Sequence, residues 1–136
     1  MSLRMTRAGD YAFRAMLYLA SLPPGSWALR EEIARQQHIP SDFVAKILQR
    51  LVEARLLHSC RGISGGFTLA RHPSEINMLE IMEAVEGPLS LNRCVPDPRG
   101  CELSDSCPAH PVWVKVQAGM SEILSSADLD DLLKEE

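Results

Sequence analysis

Apolar residues recur at helical spacing near the start of the chain. Ala12, Ala15, Met16, Leu19 and Ala20 predict a helix from about Thr6 to Ser21, ended by Pro23-Pro24-Gly25. Leu29 to Gln37 predicts a short second helix, with Ile33 and Ala34 facing inward. His38-Ile39-Pro40 breaks the pattern. Ser41 then serves as N-cap for a third helix from Asp42 to about Leu56, built on Val44, Ile47, Leu48, Leu51 and Val52. Two helices joined by so short a turn form a helix-turn-helix.

The period then shortens. Leu57 to Arg61 and Phe67 to Arg71 are strand-like runs around Gly62-Ile63-Ser64-Gly65-Gly66, which predicts a β-hairpin. A hairpin placed directly behind a helix-turn-helix is a wing. Ser74 to Glu86 predicts a further helix, stopped by Gly87-Pro88, and Leu89 to Pro108 reads as a loop rich in cysteine, proline and glycine. A last helix from near Pro108 to about Ser126 carries one apolar stripe of Val112, Val116, Met120, Ile123 and Ala127. A polar, acidic tail is expected after it. The fold class is therefore mostly α with a small β-hairpin, a winged helix-turn-helix followed by a long C-terminal helix. Its expected divisions are a DNA-binding part at 1–87, a cysteine-rich loop at 88–108, and a helix with tail at 109–136.

Charge sharpens this picture. The net charge of −4 argues against a nucleic-acid binder until it is divided along the chain. Through His72 there are ten Lys/Arg against five Asp/Glu, and beyond it four against thirteen. Only the first half suits an anionic partner. Opposite the apolar stripe of the third helix lie Asp42, Ala45, Lys46, Gln49 and Glu53, with Ser41 and Arg50 at the edges. Lys46 and Arg50 can donate to guanine or phosphate, Gln49 can pair with adenine, and small Ala45 permits close approach. Ser41 and the helix N-terminus offer donors to phosphate. In the wing, Gly62, Gly65 and Gly66 let backbone approach the sugar-phosphate edge, while Arg61 and Arg71 can reach phosphate or the minor groove.

Cys94, Cys101 and Cys107 fall within fourteen residues, around Pro96, Pro98 and Gly100. Three thiols cannot all pair as disulfides, so metal or cluster ligation is the leading reading. Gaps of six and five residues are longer than in a compact zinc knuckle, and suit three thiolates around a larger iron–sulfur unit. Zinc in a Cys₃His set with His110 is the alternative. Cys107 near a helix N-terminus is placed where the dipole favours thiolate. Cys60, alone on a wing strand, is expected to be a small buried hydrophobe.

The opening Met5-Thr6-Arg7-Ala8-Gly9-Asp10-Tyr11-Ala12, the wing Arg61-Gly62-Ile63-Ser64-Gly65-Gly66-Phe67-Thr68-Leu69 and the late triple-cysteine loop together resemble the Rrf-two family of bacterial winged helix-turn-helix regulators. The likeness covers nearly the whole chain, although the first cysteine gap is one residue longer than the commonest family form. It implies a homodimer built on the last helix, a palindromic double-stranded DNA operator, and a [2Fe–2S] or [4Fe–4S] cluster held by Cys94, Cys101 and Cys107. For the fourth ligand, His110 matches the position used by cluster-biogenesis regulators. Asp10 matches the first-helix aspartate that nitric-oxide sensors contribute from the partner subunit. The implied role is a repressor or other regulator sensing iron–sulfur status, nitric oxide, oxygen or iron.

Two rivals stand beside it: a regulator of the same fold with zinc or redox-active thiols and no cluster, and a small iron–sulfur electron carrier. No nucleophile–base pair or phosphate loop supports an enzyme. No apolar run has the length of a membrane helix, so no membrane partner is expected and the cytoplasm is the expected compartment.

Overall fold

The computed structural model describes residues 6–61, 65–88 and 106–134. Helix α1 (Arg7–Ser21) starts where the Thr6 hydroxyl accepts from the Gly9 N–H at 3.2 Å, and buries Ala12, Phe13, Ala15, Met16 and Leu19 along one face. Helix α2 (Arg30–Gln37) buries Ile33 alone and ends at His38, whose left-handed backbone turns the chain. Tyr18 of α1 donates its hydroxyl to Glu32 of α2 at 2.5 Å, and that hydrogen bond raises the phenol's pKa.

Helix α3 (Ser41–Glu53) buries Val44, Ile47, Leu48 and Leu51. Its N-cap is Pro40, not Ser41 as the sequence suggests. Pro40 leaves the helical region at ψ 138°, and its carbonyl accepts from the N–H groups of Phe43 and Val44. The helix stops at Glu53 rather than Leu56 because Arg55 takes a positive φ of 65° and swings Leu56 and Leu57 into the core.

Strands β1 (Leu57–Cys60) and β2 (Gly66–Leu69) pair antiparallel, with Leu57 opposite Leu69 and Cys60 opposite Gly66. A third segment joins this wing: Ala28 and Phe67 exchange two backbone hydrogen bonds, at 2.9 and 2.8 Å. That contact explains Gly66. Its φ is +132°, and a Cβ added there would lie 2.4 Å from the Ala28 carbonyl oxygen. Gly66→Ala is therefore expected to cost about 2 kcal/mol or more, through backbone strain plus a clash that no side-chain rotation relieves. An unchanged urea midpoint would contradict this.

The helix expected over Ser74 to Glu86 is two pieces. Pro73–Glu75 forms a single 3₁₀ turn, Ile76 is extended and buried, and helix α4 (Met78–Glu86) begins afresh. Asn77 and Glu80 form a reciprocal capping box, which restarts the helix at the position its side chain selects. Helix α5 (His110–Ser126) follows, and then α6 (Leu129–Lys134) occupies the place of the expected polar tail. Asp128 accepts from the Asp131 N–H at 2.8 Å, and Leu129 is fully buried. Two backbone bonds, Met78 N–H to Ala127 and Leu129 N–H to Ile76, tie this end of the chain to the start of α4. The core thus lies between α1, α3 and α4, with α6 closing one side. Among the described residues no helix is long and apolar enough to cross a membrane.

Candidate nucleic-acid interface

Burying one stripe of α3 leaves the other outward. Ser41, Asp42, Lys46, Gln49, Arg50 and Glu53 are all exposed, and Ala45 is half-buried among them. The helix is held from behind by Leu48 and Leu51, both inaccessible, so its outer face is presented on a rigid support. Lys46 makes no ion pair among the described residues. Gln49 donates its amide to Glu53 at 3.2 Å, an exposed contact one helical turn long. Arg50 is committed elsewhere: its Nη1 donates to the Val85 carbonyl oxygen at 2.8 Å.

Arg61 leaves the end of β1 exposed, and its carbonyl accepts from the Cys60 thiol at 3.5 Å. Gly65 is buried, and Gly66 faces the Ala28 backbone, so Gly66 carries a structural demand that precedes any contact with a ligand. Gly62 lies outside the described residues. Arg71, expected to reach phosphate, instead binds Glu80 at 2.6 Å and the Glu75 carbonyl at 3.1 Å. Its partners lie on the far side of a turn, and the pairing was not visible from spacing. Cys60 is exposed, contrary to expectation. Only Leu57 of β1 faces the core, while His58, Ser59 and Cys60 project with the wing.

Of the expected metal ligands, Cys94 and Cys101 lie outside the described residues. Cys107 is half-buried, and its carbonyl accepts from the His110 N–H at 3.2 Å as α5 begins. The turn that opens α5 thus carries a thiol-bearing and an imidazole-bearing residue, joined through their backbones. That donor chemistry fits a thiophilic iron or zinc centre. Asp10 sits on α1 in an ion pair with Arg14 at 2.7 Å, and Arg14 also reaches the Gln37 carbonyl and covers the Tyr11 ring. Both members of the pair are about half exposed, so freeing Asp10 costs less than about 1 kcal/mol. Among the described residues no three His, Cys, Asp or Glu side chains gather as a metal-holding group.

Helix α5 has no buried residue. Val112, Trp113, Val114, Val116 and Ile123 are large and open, Ile123 at 69% of its surface, while Met120 and Ala127 of the same stripe are half-buried. A helix so apolar and so bare is ordinarily covered by another surface.

Residues 5–135 match the model of the Rrf2 family, described as an iron-dependent transcriptional regulator. The HTH-type transcriptional regulator IscR of Xenorhabdus nematophila is 30% identical over 132 residues, spanning 97% of this chain and 80% of that one. The solved structure of T. potens IscR aligns with a TM-score of 0.75 at 30% identity, over 99% of this chain and 89% of that one. CymR, the global cysteine regulator of B. subtilis, aligns with a TM-score of 0.79 over 99% of both chains; at 24% identity that likeness bears on the fold alone.

Proposed function

The chain is a member of the Rrf2 family of transcriptional regulators, and on that premise we propose that it is a homodimeric repressor or other regulator that reads a palindromic operator and responds to the state of a thiol-bound iron–sulfur cluster. One observation supports the DNA half above others. The outer face of α3 is open while its inner face is fully buried, so the second helix of the helix-turn-helix is free to enter a groove.

In that reading, Lys46 and Gln49 meet base edges or phosphate, Asp42 accepts from a base amine, and Ser41 at the first turn donates to phosphate. Arg61 tracks the backbone beside the wing, with Gly65 and Gly66 holding the hairpin close. A second copy covers the open stripe of α5, which sets two α3 helices at one fixed separation. Paired half-sites tolerate only one such geometry.

The cluster ligands are Cys94, Cys101 and Cys107, with His110 or Asp10 from the partner subunit as the fourth. When bound, a cluster with three thiolates and one weaker ligand supplies an iron corner open to nitric oxide, oxygen or iron loss. The chain's own part is to hold Cys107 at the start of α5, so that the state of the centre bears on the helix joining the two copies. Family membership removes the electron-carrier rival. Zinc or redox-active thiols are the outcome that would replace the cluster.

Anaerobic preparation, followed by visible absorbance and iron and sulfide analysis, is the test. Colour with near-equal iron and sulfide is expected, and Cys107→Ser should abolish most of both. A colourless protein holding stoichiometric zinc would defeat the cluster while leaving the DNA reading intact.

A further inference from the structure

Arg50 stands on the edge of the reading face, yet its surroundings give it a different task. Its guanidinium crosses from α3 to the last turn of α4 and donates to the Val85 carbonyl at 2.8 Å. The final carbonyls of a helix lack intrahelical partners and carry the negative end of its dipole. In α4 the Gly87 N–H satisfies the Glu83 carbonyl at 2.9 Å, but the last turn contains no basic residue. Glu83 and Glu86 add further negative charge there. Arg50 supplies from the neighbouring helix the cation that α4 lacks, in a charge-assisted hydrogen bond.

Both ends of this link are anchored. Val85 is buried, and Leu51, next to Arg50, is fully buried. Just past Val85, Gly87 takes a φ of 80° and the chain leads on toward Cys94 and Cys101 in sequence. On α3, Arg50 follows Gln49 directly and lies one turn after Lys46. The bond therefore joins the exit of α4 to the edge of the reading surface.

We propose that Arg50 is a positioning residue, which fixes the pitch of α3 against the C-terminal end of α4 and makes the reading face sensitive to displacement of that end. This rests on the reading of α3 as the helix that enters DNA. A phosphate contact and a positioning contact differ in salt dependence. Removing the first shallows the salt slope and weakens all duplexes alike, whereas removing the second weakens the specific duplex alone.

The experiment compares the full-length protein with Arg50→Ala and Arg50→Lys, titrated against a selected operator duplex and an unrelated duplex over a range of salt. Arg50→Ala should weaken operator binding about 10-fold, in the range usual for coupled sites. Binding to the unrelated duplex and the salt slope should stay as in the unsubstituted protein. Arg50→Lys, which keeps a cationic donor, should restore most of the loss. Should Arg50→Ala fail to fold, Arg50→Gln carries the same comparison. A shallower slope with equal loss on both duplexes, or an unchanged operator affinity, would overturn the proposal while the DNA reading stands. Absence of selective binding by the unsubstituted protein would overturn both.

Discussion

Replacing Lys46 and Arg61 together by alanine is expected to weaken operator binding by about 1,000-fold or more, because the proposed dimer loses four cationic contacts worth about 1–3 kcal/mol each when fully engaged. The salt dependence should become shallower by about 0.9 for each phosphate contact removed. Neither residue supports the fold. Both are exposed, and neither side chain makes an ion pair among the described residues. The thermal midpoint should therefore stay within the narrow range of ordinary surface substitutions. Fluorescence anisotropy over a salt series measures both effects. An unchanged slope with unchanged affinity would place the DNA-facing surface elsewhere on the molecule.

The second large effect concerns α5. Val116→Asp with Ile123→Asp puts two charges on the open apolar stripe, at positions that are exposed in the single chain. The protomer should keep its own stability. Association should fail, because carboxylates cannot be desolvated in an apolar interface without a partner. Linking two reading heads raises overall affinity by about 100-fold or more without any new contact, and that gain should disappear. Sedimentation should show single chains, and binding to the paired site should fall to that of one half-site. A variant that still sediments as a dimer would move the contact surface away from this stripe.

The helical core was legible because its signal is local. Val44, Ile47, Leu48 and Leu51 repeat at helical spacing, and the structure buries all four. The hairpin was legible from its glycine-rich turn. What escaped were contacts between distant residues of the sequence. The pairing of Ala28 with Phe67 is a single bridge across nearly forty residues, and nothing in either neighbourhood announces it. It is also what gives Gly66 its φ and its lack of space, so the glycine was legible as a turn residue but not as a packing one. Arg50 and Arg71 look alike in sequence, as exposed cations on a basic half. Their commitments to Val85 and Glu80 depend on how α4 docks.

Other features were present in the sequence and were overridden by a longer pattern. Asn77 and Glu80 have the spacing of a capping box, yet the apolar run from Ile76 to Val85 suggested one continuous helix. Asp128 and Asp131 likewise begin α6 inside a stretch whose acidity suggested a solvated tail. Leu129 is the residue that decides between those readings, and it is wholly buried. Cys60 shows the reverse error. A lone thiol is expected to be buried from its residue type, but burial needs a core to face it, and beyond Leu57 strand β1 has none.

Selection from a pool of random duplexes, made anaerobically with the intact protein, tests most directly whether α3 and the wing form a paired reading head. The expected result is an enriched motif with two-fold symmetry, whose half-sites lie about one helical turn or a multiple apart. That motif should lose enrichment when Lys46 and Arg61 are replaced. Recovery of no motif, or of one unpaired half-site bound equally well by the α5 variant, would contradict it.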